Sequence, residues 1–332
     1  MSASGDMTFR NEALIGICTF RRPELAATLA SLQDLESCGL PVTIAIADND
    51  STPSARHRVE AIAATHPLPI TYLHAPEANI SIARNALLDH ARTTGARFLV
   101  YLDDDETVEP AWLARLVAGW RAEQQVTPRT GAVLGPVRAH YKSGAPGWMD
   151  QARVHDTLPV FGKDGAITSG YTCNTLIDLT DPAARALRFD PARGRSGGED
   201  SAFFADFLRA GGRIAFAPDA VVHETVPDDR ARLGWLLRRR YRMGQTHASL
   251  IARDRSRIGR MGAAGLAAAK ALACGSLALL GGAHPAWRNR QIMRAALHVG
   301  AAAHLGGARQ IQIYGTTPFA ANTAPRRDPE ET

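Results

Sequence analysis

A chain of 332 residues, 45% hydrophobic and 21% charged, has the composition of a folded protein and the length for one large domain or two smaller ones. Its four cysteines (Cys18, Cys38, Cys173 and Cys274) show no CxxC or Cys/His spacing, which argues against a disulfide framework or a zinc site and for a reducing compartment. The net charge of +5 is modest, yet arginines crowd the stretch from Arg230 to Arg260. Such a cluster suits phosphate-bearing partners, while the lack of interleaved stacking aromatics argues against nucleic acid.

Residues 1–12 are polar, with no apolar core behind a positive start, so no secretory signal is expected and cytoplasmic residence follows. Ala13–Cys18 reads as a buried strand that leads through Thr19-Phe-Arg-Arg-Pro23 into a helix with Leu25, Leu29, Leu32 and Leu35 on one face. A second strand, Val42–Ala47, ends at Asp48-Asn-Asp50. A helix over Ala55–Ala64 and a short strand over Ile70–Leu73 follow. Asn79 then opens a helix that stops near Gly95, and Phe98–Leu102 is another buried strand. A helix from Pro110 places Trp112, Leu113, Leu116, Val117 and Trp120 at core spacing. Strands separated by helices of this length predict a mostly parallel, doubly wound α/β sheet.

Beyond residue 131 the pattern is less regular. Gly131–Val137 and Ala166–Leu179 are strand-like, a helix covers about Asp200–Ala210, and from Leu233 onward the chain is helical and arginine-rich. Gly262–Gly282 is long enough for a membrane span but is dominated by Ala and Gly and contains Lys270. A packed or interfacial helix at a membrane surface is therefore preferred to a spanning one. Residues 321–332 are expected to be a disordered tail.

Three polar clusters share one address, the carboxyl ends of predicted strands, where ligands bind in open α/β sheets. Asp103-Asp104-Asp105-Glu106 is the most informative of them. Four acids at a sheet edge repel one another unless a cation sits among them, and carboxylates are hard ligands for Mg²⁺ or Mn²⁺. The plain alternative is a polar loop ahead of a helix start at Glu109-Pro110. Asp48 at the second cluster has the chemistry to hydrogen-bond a base or ribose, and Arg21, Arg22 or Arg84 to balance phosphate charge. Further on, Gly197-Gly198-Glu199-Asp200 pairs two acids with flexible glycines before a helix, which fits either a general base or simple dipole complementarity. His223, after the apolar pair Val221-Val222, is a metal-ligand candidate whose alternative is a structural role.

The order Ile15-Gly-Ile-Cys-Thr-Phe-Arg-Arg-Pro23, Ala47-Asp-Asn-Asp-Ser51, Ala83-Arg-Asn85, Tyr101-Leu-Asp-Asp-Asp-Glu106 and Gly198-Glu-Asp200 resembles the family-2 inverting glycosyltransferases of the GT-A fold. Within that family it looks most like bacterial transferases that build exopolysaccharides such as succinoglycan on a lipid carrier. The resemblance covers about residues 12–250. It implies that Thr19, Arg21, Arg22 and Asp48 bind the nucleoside of a sugar donor and that Arg84 and Asn85 line its pocket. Asp103 and Asp105 match the DXD acids, with Asp103 nearer the ribose, Asp104 between them and Asp105 the direct metal ligand. Asp200 matches the catalytic base with Glu199 beside it, and His223 is a looser match to a further metal ligand.

The domain division implied is a polar segment over 1–12, a GT-A domain over 13–228 and a helical region over 229–320 with membrane affinity. Expected partners are a nucleotide-diphosphate sugar, a glycan or lipid-linked acceptor and the cytoplasmic face of the inner membrane. Processive relatives carry Gln-x-x-Arg-Trp, which Leu237-Arg-Arg-Arg-Tyr-Arg-Met243 lacks, so single-sugar addition is expected. The competing readings are a haloacid dehalogenase-type phosphotransferase, whose Asp-x-Asp-x-Thr loop fits Asp103–Thr107, and a non-catalytic nucleotide-sugar-binding module.

Overall fold

The computed structural model describes residues 8–311 apart from 128 and 283; the expected tail lies outside the described residues. In chain order the first half runs β1 (Arg10–Thr19), α1 (Leu25–Ser31), β2 (Val42–Asp48), α2 (Arg56–Ala63), β3 (Ile70–His74), α3 (Ile80–Thr94), β4 (Ala96–Asp103), β5 (Glu106–Val108) and α4 (Trp112–Val126). The middle contributes β6 (Thr130–Leu134), β7 (Val137–Tyr141), α5 (Gly147–Gln151), β8 (Val160–Phe161), β9 (Ile167–Ser169) and β10 (Thr175–Asp178). It continues through α6 (Pro182–Arg185), α7 (Glu199–Arg209), β11 (Arg213–Phe216) and β12 (Val222–Val226), and the chain closes with α8 (Leu233–Ala252), α9 (Arg257–Leu280) and α10 (Pro285–Leu305).

Seven strands form one sheet in the order β11-β6-β10-β4-β1-β2-β3, parallel except for β10. Its strands are apolar on both faces because both are covered, as a doubly wound sheet requires. On β1 and β4, Ile15, Ile17, Val100 and Leu102 face α1, α2 and α4 with Leu29, Val59 and Trp112. Leu14, Leu99 and Tyr101 face α3 and α7 with Leu87, Leu88, Phe203 and Phe207. The mostly parallel sheet agrees with the α/β prediction.

Two local predictions are revised. The first helix stops at Ser31 and does not reach Leu32 or Leu35, although Leu32 is still fully buried. Ser31 Oγ donates to the Thr28 carbonyl and accepts the Val108 amide, so the hydroxyl that ends α1 also docks β5. The second revision is a small separate sheet, β5-β12-β7, that the sequence pattern did not reveal. After the turn at Asp104-Asp105 the acidic run re-enters a strand at Glu106, and the pairing sets Glu224 opposite Glu106.

The helical region is tied to this frame. Met149, Val226, Leu236 and Met293 form a shared cluster that joins α5, β12, α8 and α10. α8 and α10 cross at Gly244 and Gly300, where an added Cβ would strike the Leu297 and Tyr241 carbonyls respectively. Only glycine permits that approach.

Candidate active site at the strand ends

Strand register assembles the site. β1 pairs Thr19 with Asp48 of β2 and Cys18 with Asp103 of β4, so three expected clusters end on one edge. β10 runs the other way, and the chain entering it therefore delivers Cys173 and Asn174 to the same edge. Thr19 Oγ1 donates to Asp104 Oδ2 at 2.7 Å, which joins two of the clusters directly.

Several expected donor-binding side chains are turned to structural work. Asp48 is fully buried: its Oδ1 accepts the Asp50 amide at 3.0 Å, and its Oδ2 accepts the Ala55 amide and the Tyr72 hydroxyl, both at 2.8 Å. A carboxylate offers about four acceptor positions, and the turn uses three of those of Asp48. Arg21 forks onto Asp50 with contacts of 2.8 and 2.9 Å, and that guanidinium holds the Asp50 carboxyl well below the usual range. Asn85 spends both ends of its amide on the backbone of Phe189, at 2.8 and 2.9 Å. Each of the three is thus held in place by a nearby group of the protein.

The acidic run behaves as expected of crowded carboxylates. Asp103 is lifted to about 7, chiefly by loss of water, with Asp105, Asp104 and Glu224 adding repulsion against the pull of Arg84. Asp104 also rises to about 7, chiefly by burial and despite the Thr19 hydroxyl. Glu106 is 2% exposed, accepts the Asp103 amide at 2.9 Å and is pushed well above its ordinary value by burial. Ligand atoms of Asp103, Glu106 and Cys173 lie within 4.8 Å of one another. Asp105 faces cations instead, with Arg22 at 3.6 Å and Arg230 at 3.9 Å, and Arg230 also meets Glu224 at 3.3 Å.

Arg84 joins this strand end to the second acidic pair. Its buried guanidinium contacts Glu199 through Nη1 and stands 4.0 Å from Asp103. It braces the two acidic segments from within the protein. Glu199 is 5% exposed, and its Oε2 has no protein partner. Asp200 follows in the first turn of α7, where its Oδ1 accepts the Ser201 amide at 2.6 Å.

The loop carrying this pair is pinned to the start of α3. Asn79 caps α3 by accepting the Ser81 amide and donates to the Pro191 carbonyl at 2.9 Å, while Ser81 Oγ donates to the Asp190 carbonyl at 2.8 Å. Gly198 then enters α7 at φ +84°, against the Thr246 side chain of α8. A side chain there would strain the backbone and collide with α8.

His223 meets His140 and Glu109. Its Nδ1 faces His140 Nε2 at 2.7 Å, and its Nε2 lies 3.6 Å from Glu109. Residues along a strand alternate faces, so Glu224, not His223, shares the side of Asp105. Glu224 is a supporting residue that the motif reading passed over, and Glu106, Arg230 and Asn79, read from sequence only as part of the acidic run, the basic stretch and a helix start, support the same neighbourhood. The period-2 pattern Val222-x-Glu224-x-Val226 carried a signal for Glu224, since both valines are buried.

Residues 14–179 match the sequence profile of Glycosyl transferase family 2. The chain is 47% identical over 311 residues to the succinoglycan biosynthesis protein ExoM of Rhizobium meliloti (strain 1021), which spans 92% of this chain and 97% of that protein. Among solved structures it is similar to the mannosyltransferase PcManGT from Pyrobaculum calidifontis, determined in complex with GDP-Man and Mn²⁺. That likeness has a TM-score of 0.59 at 20% identity and covers 90% of this chain and 88% of the other, so what the two share is the fold.

Proposed function

The chain belongs to glycosyl transferase family 2, and from that premise we propose an inverting transferase that moves one sugar from a nucleotide-diphosphate sugar to an acceptor hydroxyl. The reading rests above all on Arg84, whose contacts with Asp103 and Glu199 draw the DXD strand end and the helix start bearing Asp200 into one small volume. The acceptor hydroxyl donates its proton to Asp200 as its oxygen attacks the anomeric carbon. The bond to the diphosphate breaks on the opposite side and its electron pair leaves with the diphosphate. The anomeric carbon is inverted, and no sugar–enzyme bond forms.

A divalent cation fits the residues present. The donor set is hard oxygen, with carboxylates of Asp103, Asp104 and Asp105 close together at the strand end, the arrangement that suits a divalent cation. Asp103 and Asp105 would hold the ion, with Glu106 fixing the Asp103 backbone; His223 stands outside this set. When bound, Mn²⁺ or Mg²⁺ neutralises the charge that grows on the departing diphosphate. The GDP-Man and Mn²⁺ held by the Pyrobaculum mannosyltransferase support the donor class and the cation. We assign donor contacts to Thr19, Asp104 and Arg22, which stand at the same strand ends, alongside the Arg21, Asp48, Arg84 and Asn85 segments that frame them.

Relatedness to a succinoglycan biosynthesis protein supports an exopolysaccharide precursor, carried on lipid at the cytoplasmic face, as acceptor. In this reading residues 13–228 form the catalytic unit and the helical region from 229 faces the membrane. A phosphotransferase is disfavoured because its loop would leave the Glu199-Asp200 pair and Arg84 without a role.

The test is Asp200→Asn. Donor affinity, read by calorimetry, is expected to stay within a few-fold, while transfer falls by about 10²–10⁴. Transfer at the wild-type rate would remove Asp200 from the mechanism.

A further inference from the structure

From the exposed side of α9 we infer that this helix lies flat in the headgroup region of a membrane rich in anionic lipid. The inference deepens the membrane placement proposed above by naming the surface that makes it. Along α9, Ile258, Met261, Gly265, Ala269, Leu272, Ser276 and Leu279 recur at steps of three and four, so they share one face. Ile258, Met261, Leu272, Leu279 and Leu280 are 73–85% exposed. The opposite face, with Ala267, Cys274 and Ala278, is the buried one. Large side chains therefore point out and small ones point in, the reverse of a helix that covers a core. An exposed apolar stripe of this extent marks an interaction surface.

Charge identifies the occupant. From Arg255 to Ile311 the chain has no Asp or Glu. At about 100° per residue, Arg257 falls on a margin of the stripe and Lys270 lies farther round toward the packed face, and long basic side chains in such places reach headgroups while the stripe sinks below them. Trp287, 40% exposed, stands against Gly281 at the far end of α9, and tryptophan favours the same interfacial depth.

By length and composition α9 is the one helix among the described residues that could cross a bilayer. Its packing opposes that. Ala267 is buried together with Ala248 of α8 and Ala301 of α10, so a crossing α9 would pull α10 with it. α10 carries Arg288, Arg290 and Arg294, which are expensive at bilayer depth. A flat α9 buries the stripe and leaves those arginines at the surface.

Flotation of the full chain with phosphatidylcholine vesicles, with and without phosphatidylglycerol, tests the inference. The chain should float with the anionic vesicles, and high salt should weaken the association. Leu272→Asp/Leu279→Asp, on exposed positions, should fold normally, retain transfer to a water-soluble acceptor and lose vesicle partitioning by about tenfold or more. Preserved transfer separates failure of this surface from failure of the catalytic reading. Unchanged flotation of the double variant would overturn the inference. So would retention in membranes after alkaline extraction, which indicates a span, or a dimer that the double variant dissociates, which makes the stripe a contact between copies.

Discussion

At the residue scale, Arg84 is the side chain on which the site depends most. It is buried, it balances Glu199, and it stands beside Asp103. Removing one member of a buried ion pair leaves an uncompensated charge and typically costs about 3–5 kcal/mol. Arg84→Met is therefore expected to lower the melting temperature by several degrees, and adding Glu199→Gln should recover part of that loss. Equal melting curves for the wild type and Arg84→Met would show that the pair does not brace the site. This scale also marks where the sequence stopped being legible. Asp103, Asp105 and the Glu199-Asp200 pair were readable as acids at strand and helix ends. That Asp48 and Asn85 face inward and that Arg21 is held by Asp50 was not, because their partners are a hydroxyl, backbone groups and a carboxylate supplied by other segments.

At the element scale, the join between the β7–β8 connection and α8 carries a proton switch in its stability. His155 is buried; Tyr141 donates to its Nδ1 at 2.8 Å, its Nε2 donates to the Arg230 carbonyl at 3.2 Å, and the Trp235 ring stacks on it. Burial first, and the positive charge of Arg239 next, push it from 6.5 down to about 4. The folded state therefore holds the neutral ring. The stability this contributes is present above pH 6.5 and is lost as the pH falls toward 4, while the unfolded chain takes up the proton. Urea unfolding midpoints are expected to drop across that window, and His155→Phe should flatten the drop. An identical pH profile in the variant would exclude His155 as the titrating group. Elements were otherwise the most legible level, since apolar runs and leucine spacing located the main strands and helices. The small sheet β5-β12-β7 escaped because three to five residues with mixed polarity carry too little periodicity.

At the scale of the whole molecule, the parallel order of β1, β2 and β4 converts separate motifs into one acidic edge, and the turn before α8 closes that edge with Arg230. The fold class followed from the alternation of strands and helices, whereas the position of β10 and the helical region's grip on Gly198 depend on long-range packing that no local pattern encodes. The central claim is that acids from separate segments hold an activated sugar through a shared cation. It is tested most directly by counting bound Mn²⁺ by electron paramagnetic resonance in the presence of a nucleoside diphosphate. The account predicts a single ion per chain for the wild type and its loss in Asp103→Asn/Asp105→Asn. An ion held by the double variant with undiminished affinity would contradict it.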